Sequence, residues 1–139
     1  MIETDIRTFL LADTDIAAVV STRVFGGKVP QGTTGAVIVL RNISGNRHYH
    51  LTNEATARES LVQIDCYQSS MTLADALAEL VRNRLSGYRG AAGSTTVQAA
   101  TIISERAFRE EPQNASDRWI YRSSADYSII YSTTAPTHA

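Results

Sequence analysis

The sequence has few of the residues that build disulfides, zinc centres or nucleophilic active sites. Its 139 residues include one cysteine, Cys66, and three histidines. A single cysteine can form neither an internal disulfide nor a cysteine-rich zinc site. Cys66 lies in an alternating segment, residues 63–67, that is typical of a strand interior. There a lone cysteine usually behaves as a small hydrophobic side chain.

The sequence also lacks an excess of charge of one sign and any long apolar run. The formal net charge is −1, unlike the basic surface with which proteins bind nucleic acids. No stretch approaches the ~20 apolar residues that span a bilayer, and the first residues do not have the pattern of a signal peptide. We therefore expect a soluble protein made in a cytoplasm, without membrane contact or sequence-specific binding of nucleic acid.

The composition predicts one domain over residues 1–139. Hydrophobic residues make up 43% of the chain, which is close to the average of soluble globular proteins and argues against disorder. A chain of this length can bury one sizeable core. Residues 133–139 are small and polar, and we expect a frayed tail there.

Apolar residues at helical spacing predict three helices, two short ones at the start and a longer one in the middle. The apolar stripes are Ile2, Ile6, Phe9 and Leu10, then Ile16, Val19 and Val20, then Leu73, Leu77, Leu80, Val81 and Leu85. Asp5 falls outside the first stripe. Candidate N-caps are Asp13 or Asp15 for the second helix, and Ser69, Ser70 or Thr72 for the third.

Alternating and β-branched segments predict strands near residue 24 and over residues 37–43, 61–67, 97–108 and 119–131. Residues 88–95 are interpreted as a turn. Residues 46–60 are polar without a core-forming period, which indicates an exposed arm or loop. The order of elements predicts an α+β fold, a mainly antiparallel β-sheet with helices packed on one face. The other face must be solvated or covered by a neighbour.

Few groups of residues in the sequence could form a catalytic or metal-binding site. His48 and His50 would share one face of a strand, but solvated arm residues explain them better than a metal site does. Asp65 and Asp126 lie in mid-strand, where outward-facing or interface-paired carboxylates are commoner than catalytic ones. We therefore expect no catalytic residue, no cofactor and no bound metal. A small enzyme or ligand-binding domain, with a site assembled only by folding, is the alternative from another class.

A mixed-charge segment covers the end of the strand predicted over residues 97–108 and the residues that come next. It contains Glu105, Arg106, Arg109, Glu110 and Glu111. These residues are either a solvated hairpin end or a set of charges that pairs with a neighbouring subunit and sets the register of that contact.

An ordered series of motifs covers nearly the whole chain. A loop with glycine and proline leads into an apolar strand that ends in Arg41-Asn42-Ile43-Ser44-Gly45, and a polar arm with Arg47-His48-Tyr49 follows. The next motifs are Ala57 to Tyr67, a Ser/Thr cap, an Ala- and Leu-rich helix, and Leu85-Ser86-Gly87-Tyr88-Arg89-Gly90. Together with Phe9 to Asp13, Arg23-Val24-Phe25, and Glu105-Arg106 before an aromatic-rich strand, the series resembles the tail-completion, or tail-terminator, proteins. That family occurs in long-tailed lambda-like and HK97-like bacteriophages, prophages and gene transfer agents.

The resemblance implies a structural virion protein at the head-proximal end of the tail, assembled in the host cytoplasm. Such proteins form a hexameric ring that caps the tail tube, ends its polymerisation and presents a surface for head joining. The implied partners are further copies of the chain, the major tail tube protein and a head connector or neck protein, and DNA can pass through the lumen of the ring. The closest alternative is a neck protein, head–tail connector or minor tail component of the same particle.

Subunit and tail-tube contacts are predicted in three places. The candidates are Arg47, His48, Tyr49, His50 and Arg58 in the arm, Glu105, Arg106 and Arg109 in the charged segment, and Trp119, Tyr121 and Tyr127 in the last strand. The last strand is expected to cover a sheet or to extend it across subunits.

Overall fold

The computed structural model describes residues 2–27, 29–30, 35–49, 54–110 and 120–132. Over these residues the chain forms three helices and six strands. They are α1 (Ile2–Leu11), α2 (Thr14–Val20), β1 (Val24–Gly26), β2 (Val37–Tyr49), β3 (Glu54–Gln68), α3 (Met71–Leu85), β4 (Gly90–Ala92), β5 (Thr95–Glu110) and β6 (Ile120–Ser132).

The strands form one sheet in the order β1-β2-β3-β6-β5-β4. β1 runs parallel to β2, and every other neighbouring pair is antiparallel. β6, the last of the described strands in sequence, lies between β3 and β5. The predicted α+β class is confirmed. The prediction that the last strand extends a sheet across subunits is wrong, because both edges of β6 are already hydrogen bonded within the chain.

The three helices pack on one face of the sheet around a single hydrophobic core. α3 turns Ala74, Leu77, Val81 and Leu85 inward. Leu73, predicted to lie in this stripe, is 49% exposed, because the inward face of the helix is set by the 3-4-4 spacing that begins at Ala74. Across from α3 the sheet contributes fully buried side chains from its central strands, which include Val62, Ile64, Cys66, Tyr127 and Ile129.

Side chains fix the starts of α2 and α3 by capping. The Asp13 carboxylate accepts hydrogen bonds from the backbone amides of Asp15 (2.9 Å) and Ile16 (3.3 Å). Ser70 Oγ accepts one from the amide of Leu73 (3.2 Å). Each cap satisfies amides that have no partner inside the helix. Of the predicted capping candidates, the structure therefore selects Asp13 and Ser70.

Bulges interrupt both outer long strands. The register of β2 with β3 shifts between Asn42 and Ser44, and that of β5 with β6 shifts between Val97 and Ala99 and again between Ile102 and Ser104. The uninterrupted alternation predicted from residue 97 is wrong, because an extra residue in a bulge turns the following side chains to the other face. Val97 and Ala100 are consequently both buried, and Ile103 is 61% exposed.

The strands are longer than the sequence predicts. Residues 46–49 and 54–60, interpreted as an arm or loop, extend β2 and β3, and Arg47 lies opposite Arg58. Residues 90–92, predicted to be part of a turn, form β4. The predicted tail at 133–139 lies outside the described residues, as do His50 and Trp119.

One carboxylate ties α1 to the turn between β4 and β5. Asp5, predicted to lie off the apolar face, is 8% exposed. It accepts hydrogen bonds from the amide and hydroxyl of Ser94 (both 3.0 Å) and from the Thr95 hydroxyl. Burial raises the pKa of Asp5, but the hydrogen bonds from Thr95 and Ser94 outweigh it and hold the pKa below its ordinary value. At Gly93 (φ 58°) a Cβ would lie 2.5 Å from the Asp5 carboxylate, so the turn requires glycine.

Asp5→Asn should lower the free energy of unfolding by about 1–3 kcal/mol, because it replaces the buried charged acceptor of three hydrogen bonds by a neutral amide. The folded-state pKa of Asp5 lies below its unfolded value, so its stabilisation is complete above the unfolded pKa and is lost as the pH falls through the folded one. Urea unfolding at pH 7 and at pH 3 measures both effects. Asp75→Asn, an exposed change on α3, is the control. A loss at pH 3 as large as that at pH 7 would contradict this account.

Candidate functional site

The helix-free face of the sheet carries most of the organised polar chemistry of the described chain. Side chains of β2, β3, β6 and β5 line up there in three cross-strand rows, called here the polar rows. They are Val37, Tyr67, Arg122 and Phe108; then Val39, Asp65, Ser124 and Arg106; then Arg41, Gln63, Asp126 and Ser104. Each row follows from the register, because residues opposite one another in neighbouring strands project on the same face.

Arg106 and Asp126 form a two-point ion pair across β5 and β6. Both guanidinium nitrogens, Nη1 and Nη2, lie 3.0 Å from a carboxylate oxygen. The Ser104 hydroxyl donates to the same carboxylate (3.2 Å) and accepts from Arg106 (2.8 Å). The Arg106 guanidinium lowers the pKa of Asp126. Asp126 is therefore ionised at neutral pH, and its geometry is that of a fork-to-fork pair, which is both strong and directional.

Asp65 is a carboxylate with no exposed surface in the middle of the polar rows. Gln63 Nε2 donates to both of its oxygens at 3.0 Å. Arg41 Nη1 lies 3.4 Å away and Arg122 Nη1 lies 3.9 Å away. Burial of an ion is costly unless opposite charge and hydrogen bonds compensate for it, and the two arginines and Gln63 supply this compensation.

Arg122 stacks between aromatic rings of the two flanking strands. Its guanidinium carbon is 4.4 Å from the centroid of the Phe108 ring and 5.9 Å from that of Tyr67. Stacking of this kind holds a cation against an aromatic face. The first polar row therefore presents aromatic rings and an arginine, residue types that are enriched in protein–protein interfaces.

The charged side chains described on this face are paired with one another. Burial raises the pKa values of the Cys66 thiol and the Tyr127 phenol, so both remain protonated at neutral pH. An open groove of about 560 Å³ beside β4 and β5 is lined by residues 89–90 and 96–99 and by Ile130. Of its lining residues, only Arg89 is charged. Within the described ranges no group of three or more His, Cys, Asp and Glu side chains could hold a metal ion.

The predicted contacts in the arm lie on the outer part of β2 and β3. Arg47 is exposed, and Arg58 is half-buried with its guanidinium over Gly45, where an added Cβ would lie 3.2 Å from Nη2. His48 and Tyr49 belong to the end of β2. His50 falls outside the described residues. The structure therefore brings Arg47 and Arg58 together on the hairpin formed by β2 and β3.

The residues of β5 and β6 that were predicted to make subunit contacts lie on different faces of the sheet. Glu105 and Arg106 project from opposite faces of β5, so the mixed-charge segment is not one cluster. Arg106 belongs to the polar rows, whereas Glu105 and Arg109 are exposed. Tyr121 is half-buried. Tyr127, predicted to be an interface residue, is 1% exposed and forms part of the core, so its side chain does not reach the surface of the folded chain.

Of the polar rows, only Arg106 was among the predicted contacts; Arg41, Gln63, Arg122 and Phe108 are examples of the members that were not. The sequence signal for them is the period-two placement of polar and aromatic residues in segments 63–67, 104–108 and 122–126, together with Arg41 at the end of an apolar run. That pattern shows which side chains share a face within each strand. It does not reveal that β6 inserts between β3 and β5, and this insertion is what joins the four segments into one surface.

An apolar core on one face and an internally paired, charged face on the other are typical of a protein that holds a surface in a fixed shape. No helix in the described ranges is both long and apolar enough to cross a bilayer. The comparisons with known proteins show the family to which the chain belongs.

The family described as "Tail completion protein gp17" matches residues 4–132 of the chain. The chain belongs to this family of tail completion proteins. The resemblance predicted from the sequence is thus confirmed, and the chain is a structural tail protein located in a virion.

A chain from the solved structure "Virion of native gene transfer agent (GTA) particle" has the same fold. The two are superimposable with a TM-score of 0.74 at 19% sequence identity, over 94% of this chain and 93% of that chain. At this identity the similarity shows the fold. No curated protein sequence matches the chain.

Asp65→Ala should lower the free energy of unfolding by about 3 kcal/mol, because it leaves two arginines beside a site without its buried counter-charge. Asp126→Ala should cost about 1 kcal/mol or less, because its partner Arg106 is 36% exposed and is solvated when the carboxylate is removed. Urea unfolding of the two variants at pH 7 gives the comparison. Equal losses of unfolding free energy in the two variants would contradict this account, in which the burial of Asp65 makes its removal more costly than that of Asp126.

Proposed function

We propose that this chain is the subunit of a ring that caps the head-proximal end of the tail tube, ends its polymerisation and presents the surface to which the head joins. The match of residues 4–132 to the tail completion family carries this proposal. The ring is expected to be a hexamer. Its partners would be the major tail tube protein on one side and a head connector or neck protein on the other.

The shape of the chain supports a closed ring. A ring of identical subunits is built from heterologous contacts, in which one surface of a subunit meets a different surface of the next. The sheet has two unlike edges, one at β1 and β2 and the other at β4 and β5. It also has two unlike faces, one covered by helices and one bearing the polar rows. A subunit with such asymmetry gives a ring whose two sides differ, as a cap between tube and head requires.

The function is proposed to be structural and without catalysis. In the described residues Asp65 and Asp126 are both engaged with arginines, and the buried thiol and phenol stay protonated. A general acid or base needs a pKa near the working pH and access to a substrate. Neither carboxylate of the polar rows meets both conditions.

The hairpin of β2 and β3 is the proposed contact with the tube or the lumen. Its outer residues Gly45, Asn46 and Arg47 are all exposed, and Arg58 adds a second positive charge opposite Arg47. The segment 45–60 also contains Glu54 and Glu59, so the hairpin carries charges of both signs and has no net formal charge. In a contact with a partner surface, exposed charges of this kind mainly set the orientation and the rate of association.

A neck protein, head–tail connector or minor tail component is the second candidate. The structurally similar chain belongs to a whole gene transfer agent particle, and membership of a particle is compatible with any of these places. Labelling the chain and locating it in intact particles by electron microscopy separates the candidates. If the chain is the cap, the label is expected at the junction of tube and neck, in a layer that is one ring thick.

Particles made without this protein should contain tails of abnormal length that fail to join heads, because nothing stops polymerisation or offers the joining surface. Negative-stain electron microscopy of such preparations measures tail length and the joined fraction. Supplying the intact chain in trans is the control and should restore both. Tails of normal length that still join heads would overturn the proposal.

Replacement of residues 47–58 by Asn-Gly should abolish tail joining while the fold is retained. Asn46 and Glu59 lie opposite one another in the sheet, so a two-residue turn closes the shortened hairpin in register. Circular dichroism and the unfolding midpoint establish that the variant folds. An Arg47→Gln variant, which keeps the hairpin length, separates the effect of charge from that of length. Normal joining by the shortened chain would remove the hairpin from the mechanism.

A further inference from the structure

The charges of the polar rows are layered, with the arginines nearer to solvent than the carboxylates. The Arg41 side chain is 43% exposed and pairs with Asp65, which has no exposed surface. The Arg106 side chain is 36% exposed and pairs with Asp126, which is 17% exposed. With Arg122 the rows contain three arginines and two aspartates, a formal charge of +1. A partner that approaches the helix-free face therefore meets arginine side chains before it meets carboxylates.

The opposite face of the sheet carries exposed carboxylates on α3 and β5. Asp75, Glu79 and Arg82 follow one another along one side of α3, and Arg82 Nη2 lies 2.9 Å from Glu79 Oε2. Glu105 projects on the same face of the sheet as α3, since its row contains the buried core residue Ile64. Hydrogen bonding and charge from Glu79 raise the pKa of Arg82, and the nearby charge of Glu105 adds to this rise.

These four exposed residues of α3 and β5 are called here the acidic surface. They consist of three carboxylates and one guanidinium, so their formal charge is −2. The chain thus presents a positive surface on one face of its sheet and a negative surface on the other.

We propose that the polar rows of one copy of this chain bind the acidic surface of the next copy. This inference rests on the proposed ring and states which surfaces of its subunits meet. Glu105 and Arg106, neighbours in sequence, belong to one surface each. Because the two surfaces are different, the contact is heterologous, so it can repeat from copy to copy until the ring closes.

Charge favours this pairing of surfaces over a contact between like surfaces. Two copies that met through their polar rows would bring arginines together, and like charges across an interface oppose binding. A guanidinium binds a carboxylate through two parallel hydrogen bonds, so Arg41 and Arg106 suit carboxylate partners. Asp75 and Glu105 of the next copy are the expected acceptors, because Glu79 already accepts hydrogen bonds within its own chain.

Exposed apolar side chains lie beside both sets of charges. Phe108, in the first polar row, is 39% exposed, and Ile103, two residues before Glu105, is 61% exposed. Burial of such side chains is the main driving force of association. Tyr67 and Arg122 of the same polar row are residue types that often contribute most to binding. Apolar area therefore supplies affinity in this contact, while the charges set its orientation.

Carbodiimide cross-linking tests the contact residue by residue. The reagent condenses a lysine amine with a carboxylate that touches it, and Lys28 is the only lysine of the chain. In a Lys28→Arg background, Arg41→Lys therefore places a single side-chain amine in the polar rows. The full chain is treated alone and with purified tail tubes, and cross-linked peptides are identified by mass spectrometry. We expect bonds between position 41 and Asp75 or Glu105 of another copy.

Arg89→Lys in the same background is the matched control. Arg89 is also accessible to solvent, but it lies beside β4 and outside the polar rows. It should give no cross-link to Asp75 or Glu105 of another copy. Equal yields from the two variants would indicate random collision and overturn the proposal.

Substitutions of charge test the same contact without a cross-linker. Asp75→Arg with Glu105→Arg reverses the acidic surface. Arg41→Gln with Arg106→Gln removes two positive charges from the polar rows. Each double variant should weaken self-association about tenfold or more, because opposite charges no longer meet. Asp15→Arg, an exposed change on α2, is the control and should associate like the unmodified chain.

A mixture of the two double variants tests whether the contact is heterologous. One intact set of polar rows and one intact acidic surface remain in the mixture, on different chains. The variants should therefore form mixed dimers and stop there, as measured by analytical ultracentrifugation. Circular dichroism establishes that each variant is folded. Normal self-association of the variant with the reversed acidic surface would overturn the proposal.

The outcomes separate this inference from the proposed function. Rings that form without cross-links from position 41 overturn the contact and leave the proposed ring intact. Cross-links from position 41 to the tube protein alone indicate that another chain supplies the carboxylates, and they overturn the contact between copies. A chain that remains monomeric even with tail tubes present overturns the ring, and the contact with it.

Discussion

The central position of β6 is the constraint on which both faces of the sheet depend. On one face β6 places Tyr127, Ile129 and Tyr131 in the core beneath the helices. On the other it places Arg122, Ser124 and Asp126 between the polar residues of β3 and β5. A strand hydrogen bonded on both sides has no freedom to shift register without moving its apolar set to the wrong face. The register of β6 that packs the core is therefore also the register that forms the polar rows.

The ion pairs of the buried Asp65 fix one arrangement of side chains on the helix-free face more than they stabilise the fold. Asp65 has no exposed surface, and its compensation comes from side chains of β2, β3 and β6 at once. A pair of this kind contributes little net free energy compared with apolar packing, yet its removal on one side is costly. The consequence for an assembly subunit is a face with one arrangement of charge, which a partner meets already formed.

Much of the fold was predictable from local patterns, and the remainder depends on contacts distant in sequence. The stripe Ile2, Ile6, Phe9, Leu10 and the alternation from Ala125 to Tyr131 indicated their elements because each periodicity is contained in one segment. The strand order was hidden, since nothing in β3 or β6 alone states that they pair. Ile103 in its bulge and Asp5 under the β4–β5 turn were misread because their environments are made by other elements. The candidate site was affected most, because its rows exist only after four strands combine.

The pairing of β3 with β6 also determines when the molecule can be completed. Ala57 lies opposite Ser132, and Gln68 lies opposite Tyr121, so a growing polypeptide cannot finish its sheet before the final strand leaves the ribosome. Until then β6, which lies between β3 and β5 in the folded sheet, is not available to pair with either strand. Contacts between residues so far apart in sequence also slow folding. A chain that ends before β6 therefore has no complete sheet to contribute to a particle.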